Sequence, residues 1–197
     1  MLTRQKRAER TRELILRAAA EVFERDGISA ASLSWITRVA DVSKGALYFH
    51  FGSKDELAGA VCLEGMGRMG SLVRECYRRR GPALERLATL CRELMRVVRD
   101  DVVVRAAIRL INDGRVNGAS VGDPHRDWSR VVHRLLSTAM WQGGLPRGVD
   151  VEVLAYLLVS ATVGVEMLSR TDPSWLDESV VGRVWETVFA SSPLQGD

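Results

Sequence analysis

The run from Val42 to Leu57 (Val-Ser-Lys-Gly-Ala-Leu-Tyr-Phe-His-Phe-Gly-Ser-Lys-Asp-Glu-Leu) leaves this chain little freedom in its local fold. Asp41-Val42-Ser43 predicts a tight turn, Lys44 to about His50 a short helix, and Ser53 the cap of a longer one. Small, aromatic and cationic residues crowd one short exposed element, as a surface that docks into a groove requires. Lysine usage sharpens this. Of only three lysines, Lys6, Lys44 and Lys54, two lie in or beside that helix, whereas arginine occurs 25 times.

The same logic extends upstream. Leu14, Ile15, Ala18, Ala19, Val22 and Phe23 recur as one helical stripe, with Arg12, Glu13, Arg17, Glu21 and Glu24 off it. Gly27 is a C-cap candidate, and Ser32 can cap a second helix burying Leu33, Ile36 and Val39. Three short helices before residue 52 therefore form a helix-turn-helix unit. Its basic arm carries Arg4, Lys6, Arg7, Arg10 and Arg12 against Glu9 alone, which points to an anionic partner at this end.

Beyond Ser53 the chain reads as helix throughout. Asp55 and Glu56 sit in a first turn where the helix dipole favours acids. Gly65, Gly67 and Gly70 weaken the middle of that helix, and Gly81-Pro82 stops it. Further helices are predicted near 83–99, 101–113, 125–142, 151–170 and 175–190. Hairpin signals are missing, so the fold class is all-α. The expected division is a helix-turn-helix domain over 1–52 and a larger helical domain over 53–197.

Some classes are disfavoured. The sequence shows no nucleophile–base pair, phosphate loop or paired-carboxylate motif. Cys62, Cys76 and Cys91 have neither zinc spacing nor a disulfide pattern, and His50, His125 and His133 are scattered, so no metal or cofactor is expected. No apolar run is read as reaching the ~18 residues of a membrane span. A cytoplasmic protein with no membrane partner is the expectation.

On the third helix, Lys44 and Tyr48 share a face, while Leu47 and Phe51 turn toward the first two helices. Lys44 can donate to guanine O6 and N7, and Tyr48 and His50 suit phosphate oxygens. Gly45 and Ala46 let the backbone approach base edges, and Lys54 can add a phosphate clamp. Taken singly, Tyr48 also fits a half-buried core aromatic and His50 a surface polar residue.

Residues 8–57 resemble the TetR family of transcriptional repressors: Thr11, Phe23, Ser32 and the nearly complete run Val42 to Leu57 follow its pattern. Asp41 stands where the family usually has glycine, and Trp35 where a polar residue is commoner. The resemblance implies a double-stranded DNA operator read by a homodimer, with Ser32, Lys44, Gly45, Ala46, Tyr48, His50 and Lys54 as contacts. It also implies a carboxy-terminal body that binds a small-molecule inducer. The helix over 151–170, apolar nearly all round, and the one over 175–190 then offer a four-helix dimer interface, the alternative being an intrachain core.

Within that family, Arg105-Ala-Ala-Ile-Arg-Leu110, Trp128-Ser129 and Gly164 to Arg170 are similar to the γ-butyrolactone and butenolide autoregulator receptors of actinomycetes. The resemblance places Trp128 against the ligand. On residue pattern alone a tryptophan one turn into an amphipathic helix is more often a core residue, and the resemblance reverses that reading. Met66, Ile108, Val132, Thr162 and Val163 complete the expected pocket. The glutamine and threonine with which butenolide-binding members hold their ligand correspond here to Gly65 and Val163, with Thr162 adjacent. Together with an isoelectric point near 9.0, this resembles the pseudo-receptors, which answer to antibiotics or late pathway products. An authentic autoregulator receptor is the alternative, and a ligand-independent architectural DNA-binding protein a remote one.

Overall fold

The computed structural model describes residues 2–114, 123–177, 179, 182 and 183. Among them the regular elements are helices: α1 (Leu2–Ala30), α2 (Leu33–Val39), α3 (Lys44–His50), α4 (Lys54–Arg78), α5 (Ala83–Asp100), α6 (Val102–Asn112), α7 (Pro124–Trp141) and α8 (Val151–Ser169), followed by a 3₁₀ turn (Pro173–Leu176). The helix expected over 175–190 falls largely outside the described residues.

The chain divides into two compact units. The first comprises Met1–Arg68 and Asp101–Gly122, the second Met69–Asp100 and Asp123–Asp197. This departs from the expected division at 52/53. The amino-terminal half of α4 and all of α6 join the helix-turn-helix unit because they complete its core. Leu57, Ala58, Val61, Cys62, Val103, Ala106 and Leu110 lie in one buried cluster with Ile15, Phe23, Ile36, Leu47 and Phe51.

In the first unit, α1 packs against α6, α2 and α3. Its stripe buries Ile15, Leu16, Ala18, Ala19, Val22 and Phe23, but Leu14, expected inside, is 47% exposed. Val39 is likewise 39% exposed rather than buried. The inward stripe of α2 runs through Leu33, Ile36, Thr37 and Ala40, the i, i+3, i+4, i+7 spacing, which leaves Val39 off it. Gly27 breaks α1 with φ of 73°, a left-handed conformation that glycine adopts without strain.

Three cations converge where α1 ends. The Arg109 guanidinium donates to the Glu24 carbonyl and, at 3.2 Å, to that of Arg25. Arg105 pairs with the Glu24 carboxylate at 3.2 Å. Lys54 Nζ donates to the carbonyls of Ile28 and Ala31 at 2.7 and 3.1 Å. Terminal carbonyls lack helical partners and carry the negative end of the dipole, so cations stabilise them.

In the second unit, α7 packs on α5 and α8, and the 3₁₀ turn packs on α8 and α5. Val151, Ala155, Leu158, Thr162 and Glu166 line the buried face of α8, where Arg170 satisfies the Glu166 carboxylate at 2.9 and 3.2 Å. The opposite face exposes Val153, Tyr156, Leu157, Met167 and Leu168. Contrary to the sequence expectation, Val151–Ser169 is long and apolar enough to cross a membrane by length and composition.

Candidate nucleic-acid interface and sensing residues

Two serine caps build the reader. Ser32 Oγ accepts the Trp35 N–H at 3.1 Å and starts α2; Ser43 Oγ accepts the Ala46 N–H at 3.1 Å and starts α3. Asp41, with φ of 52°, makes the turn between them, a left-handed position that Asp tolerates better than most residues. Leu47 and Phe51 are fully buried and fix how α3 is rolled. The opposite face presents Lys44, Gly45, Tyr48 and Phe49 to solvent, with Ala46 and His50 half-exposed.

This face is suited to a duplex. Lys44 is an exposed donor at the first turn, and one turn on Tyr48 offers a hydroxyl. A Cβ built on Gly45 meets nothing nearer than Ser43 Oγ at 3.9 Å, so nothing inside the protein requires glycine there. Close approach by an outside surface does give it a reason. Ser32 caps with an acceptor lone pair, which leaves its hydroxyl proton free to donate outward.

Phe49 was not anticipated. It is 80% exposed, stacked edge-on against His50 at 5.0 Å, and it can cover a thymine methyl or a sugar. Its only sequence signal is a large aromatic off the packing stripe. Lys54 also differs from expectation in its surroundings: it is half-buried, with two of its three donors on the carbonyls of Ile28 and Ala31. Arg12 lies over the Phe51 ring at 5.2 Å and brings a further cation beside α3.

The expected ligand-binding residues are divided between the units. Met66 and Ile108 belong to the first, where both are half-buried. Trp128, Val132, Thr162 and Val163 belong to the second. There Trp128 Nε1 donates to Thr162 Oγ1 at 2.8 Å, and the Thr162 hydroxyl lies 3.0 and 2.8 Å from the carbonyls of Leu158 and Val159 in its own helix. Thr162 is buried and Trp128 half-buried, while Val132 is wholly enclosed in the α7 packing stripe. Gly65 is a contact point inside the first unit. A Cβ there would stand 2.5 Å from the Ala107 Cβ and 2.9 Å from the Val103 carbonyl, so α4 and α6 touch through it.

A cleft of about 90 Å³ in the second unit, bordered by Glu75, Arg79, Arg86 and Glu93, contains none of the expected ligand residues. The three thiols are buried, and burial pushes Cys62 from the ordinary thiol value of 9.0 to about 11.

Residues 15–61 match the family described as bacterial regulatory proteins, tetR family, and residues 82–190 match the tetracyclin repressor-like carboxy-terminal domain. The A-factor receptor protein of Streptomyces griseus is 31% identical over 96% of this chain, which spans 66% of that receptor's length. A crystal structure of a γ-butyrolactone receptor superposes with a TM-score of 0.77 at 30% identity, covering 94% of this chain and 97% of the other. The TetR-family protein CprB of Streptomyces coelicolor superposes with a TM-score of 0.83 at 31% identity, covering 95% and 91%. With its capped helix-turn-helix and all-helical body, the chain belongs to the TetR family of DNA-binding transcriptional repressors and is related within it to the γ-butyrolactone receptors.

Proposed function

We propose that this chain is a cytoplasmic homodimeric repressor that holds a pseudo-palindromic operator and is released by a small molecule, in control of antibiotic or other secondary-metabolite genes. The observation that carries the sensing part is the Trp128–Thr162 pair. An indole donor, half-buried, meets a buried hydroxyl, so a flat ring and a polar handle are held together inside the second unit. The exposed apolar face of α8 suits a second copy of the chain, and CprB has been solved with its operator at 30% identity. Two readers in one dimer meet half-sites about 34–36 Å apart, or wider on underwound DNA. The inducer acts only by binding one shape of the dimer better than the other.

The ligand we infer is an antibiotic-type or late-pathway product. Gly65 stands where butenolide-binding members are read to carry a hydrogen-bonding glutamine, and its Cβ position is already occupied by α6. A site without that polar contact selects different partners. The 31% identity with the A-factor receptor over nearly the whole chain favours a second reading, an authentic autoregulator receptor. One experiment tests both. Binding to DNA from upstream of the chain's own gene is challenged with culture extracts fractionated by polarity, and in parallel with a synthetic γ-butyrolactone. Release by a product fraction and not by the lactone supports the first reading, and the reverse supports the second. Binding as a monomer, or release by neither, overturns the proposal.

A further inference from the structure

On α2 the inward stripe is filled by Leu33, Ile36, Thr37 and Ala40, so Trp35 and Arg38 lie off it. Trp35 packs at the edge of the core cluster and remains half-buried. Its indole Nε1 is enclosed and has no hydrogen-bond partner. The ring is therefore not held there by its polar atom; what it offers is an apolar edge to the core and π faces to cations. Both cations are arginines: the guanidinium carbons of Arg38 and Arg25 lie 5.0 and 5.8 Å from the ring centroid.

The two arginines differ in what else they touch. Arg25 is already engaged bidentately by Asp26, at 2.8 and 2.7 Å. Arg38 is exposed and, among the described residues, has no carboxylate partner. Its guanidinium is thus without an acidic partner among the described residues and is held beside the Trp35 ring on an exposed residue. That combination matches a phosphate better than a lysine in the same place would. It also sits on the helix that, in a helix-turn-helix, crosses the sugar–phosphate backbone while its neighbour enters the groove.

We propose that Arg38, braced on the Trp35 ring, is a phosphate contact at the carboxy-terminal end of α2, in addition to the Ser32 cap at its start. This rests on the DNA-binding reading above. Trp35 is then a positioning residue: it fixes the guanidinium before DNA arrives and so lowers the ordering needed on binding.

The test uses the full-length chain and a duplex that the wild-type protein selects from randomised 30-mers, with affinity measured across salt concentrations. Arg38→Ala should lower the slope of log affinity against log salt by about 0.9. The wild-type advantage should accordingly shrink about 3.5-fold between roughly 50 and 200 mM salt. Arg38→Lys should restore the slope. Trp35→Phe should bind as wild type, and Trp35→Leu should bind severalfold more weakly with the slope unchanged, which a merely structural loss does not predict for the pair. An Arg38→Ala slope equal to wild type overturns the proposal, and that arm stands even if Trp35→Leu does not fold. If wild type selects no sequence and Lys44→Ala changes nothing, it is the DNA-binding reading that fails instead.

Discussion

Replacing Thr162 by valine tests the sensing pair most directly, because it keeps the shape of the side chain and removes only the hydroxyl. In the native structure that hydroxyl accepts the Trp128 indole N–H at 2.8 Å and can also donate to a carbonyl of its own helix, Leu158 or Val159. Valine leaves the indole donor without its partner. A net hydrogen bond contributes ~0.5–1.5 kcal/mol, and a stranded donor costs about 1–3 kcal/mol when fully buried. Trp128 is only half-buried, so water recovers part of this, and about 1 kcal/mol is expected for Thr162→Val. In a chain of this size that lowers the melting midpoint by roughly 2–4 °C. Trp128→Phe removes the donor from the other side, while Thr162 still has its backbone carbonyl. The double variant then isolates the bond, and the coupling energy should be about 0.5–1 kcal/mol, above the ~0.3–0.5 kcal/mol scatter of independent sites. Denaturant unfolding of the four proteins measures it. Release of DNA by an active extract fraction supplies the functional readout: with its internal competitor gone, the Trp128 donor is free for a ligand carbonyl. Thr162→Val should release at lower ligand, up to about tenfold for ~1.4 kcal/mol. A coupling of zero, with release unchanged in both single variants, refutes the role given to the pair.

Three further outcomes are expected. Lys54→Met should lose about 1.5–3 kcal/mol of stability as the Ile28 and Ala31 carbonyls lose a charged donor, seen as a lower urea midpoint; unchanged stability with a reduced salt slope of DNA binding would make Lys54 a phosphate clamp only. Gly65→Ala should destabilise by about 1–3 kcal/mol through the 2.5 Å clash with Ala107, partly offset by up to ~1 kcal/mol of helix propensity, and a stabilised variant would mean that α4 and α6 do not touch there. For Cys62, the folded thiol is raised from 9.0 to about 11, so the stability tied to it is complete below pH 9 and is lost as pH climbs toward 11. Cys62→Ser should flatten that alkaline decline in a pH series of unfolding midpoints.

What the sequence disclosed was local. The Ser32 cap, the turn over Asp41-Val42-Ser43 and the alternation of Leu47 and Phe51 against Lys44 and Tyr48 all act within one or two turns, so spacing alone locates them; that Ser43 caps α3 is seen only in the structure. Leu14 and Val39 read as inward because an apolar residue beside a stripe looks the same as one on it; which neighbours cover it decides, and those are distant in sequence. Lys54 is a sharper case. Its carbonyl partners lie 26 and 23 positions upstream, and nothing between them marks the contact. Gly65 read as a weak point in a long helix, whereas α6, some forty residues further on, makes it a point of contact. Phe49 is not legible in the sequence because an exposed aromatic has no periodicity to betray it.

The reader's core has a consequence for where the chain can be cut. A boundary after residue 52 was the natural reading of the motif, yet the cluster that fixes α3 against α1 also includes Leu57, Val61, Val103 and Leu110. Each is within 3% of complete burial, and removing such a side chain from contact forfeits about 1.5–3 kcal/mol. Four of them together amount to roughly 6–12 kcal/mol, comparable with the ~5–15 kcal/mol by which whole domains are stable. The cations that cap α1 would go with them, since Lys54, Arg105 and Arg109 all lie beyond the cut. A fragment of residues 1–52 should therefore lack a cooperative thermal transition by far-UV circular dichroism and show collapsed amide dispersion by NMR. Extending it to residue 68 should not suffice, because Val103, Ala106 and Leu110 would still be missing. A 1–52 fragment that melts cooperatively would show that the three helices hold their own core, and that α4 and α6 only lean on it.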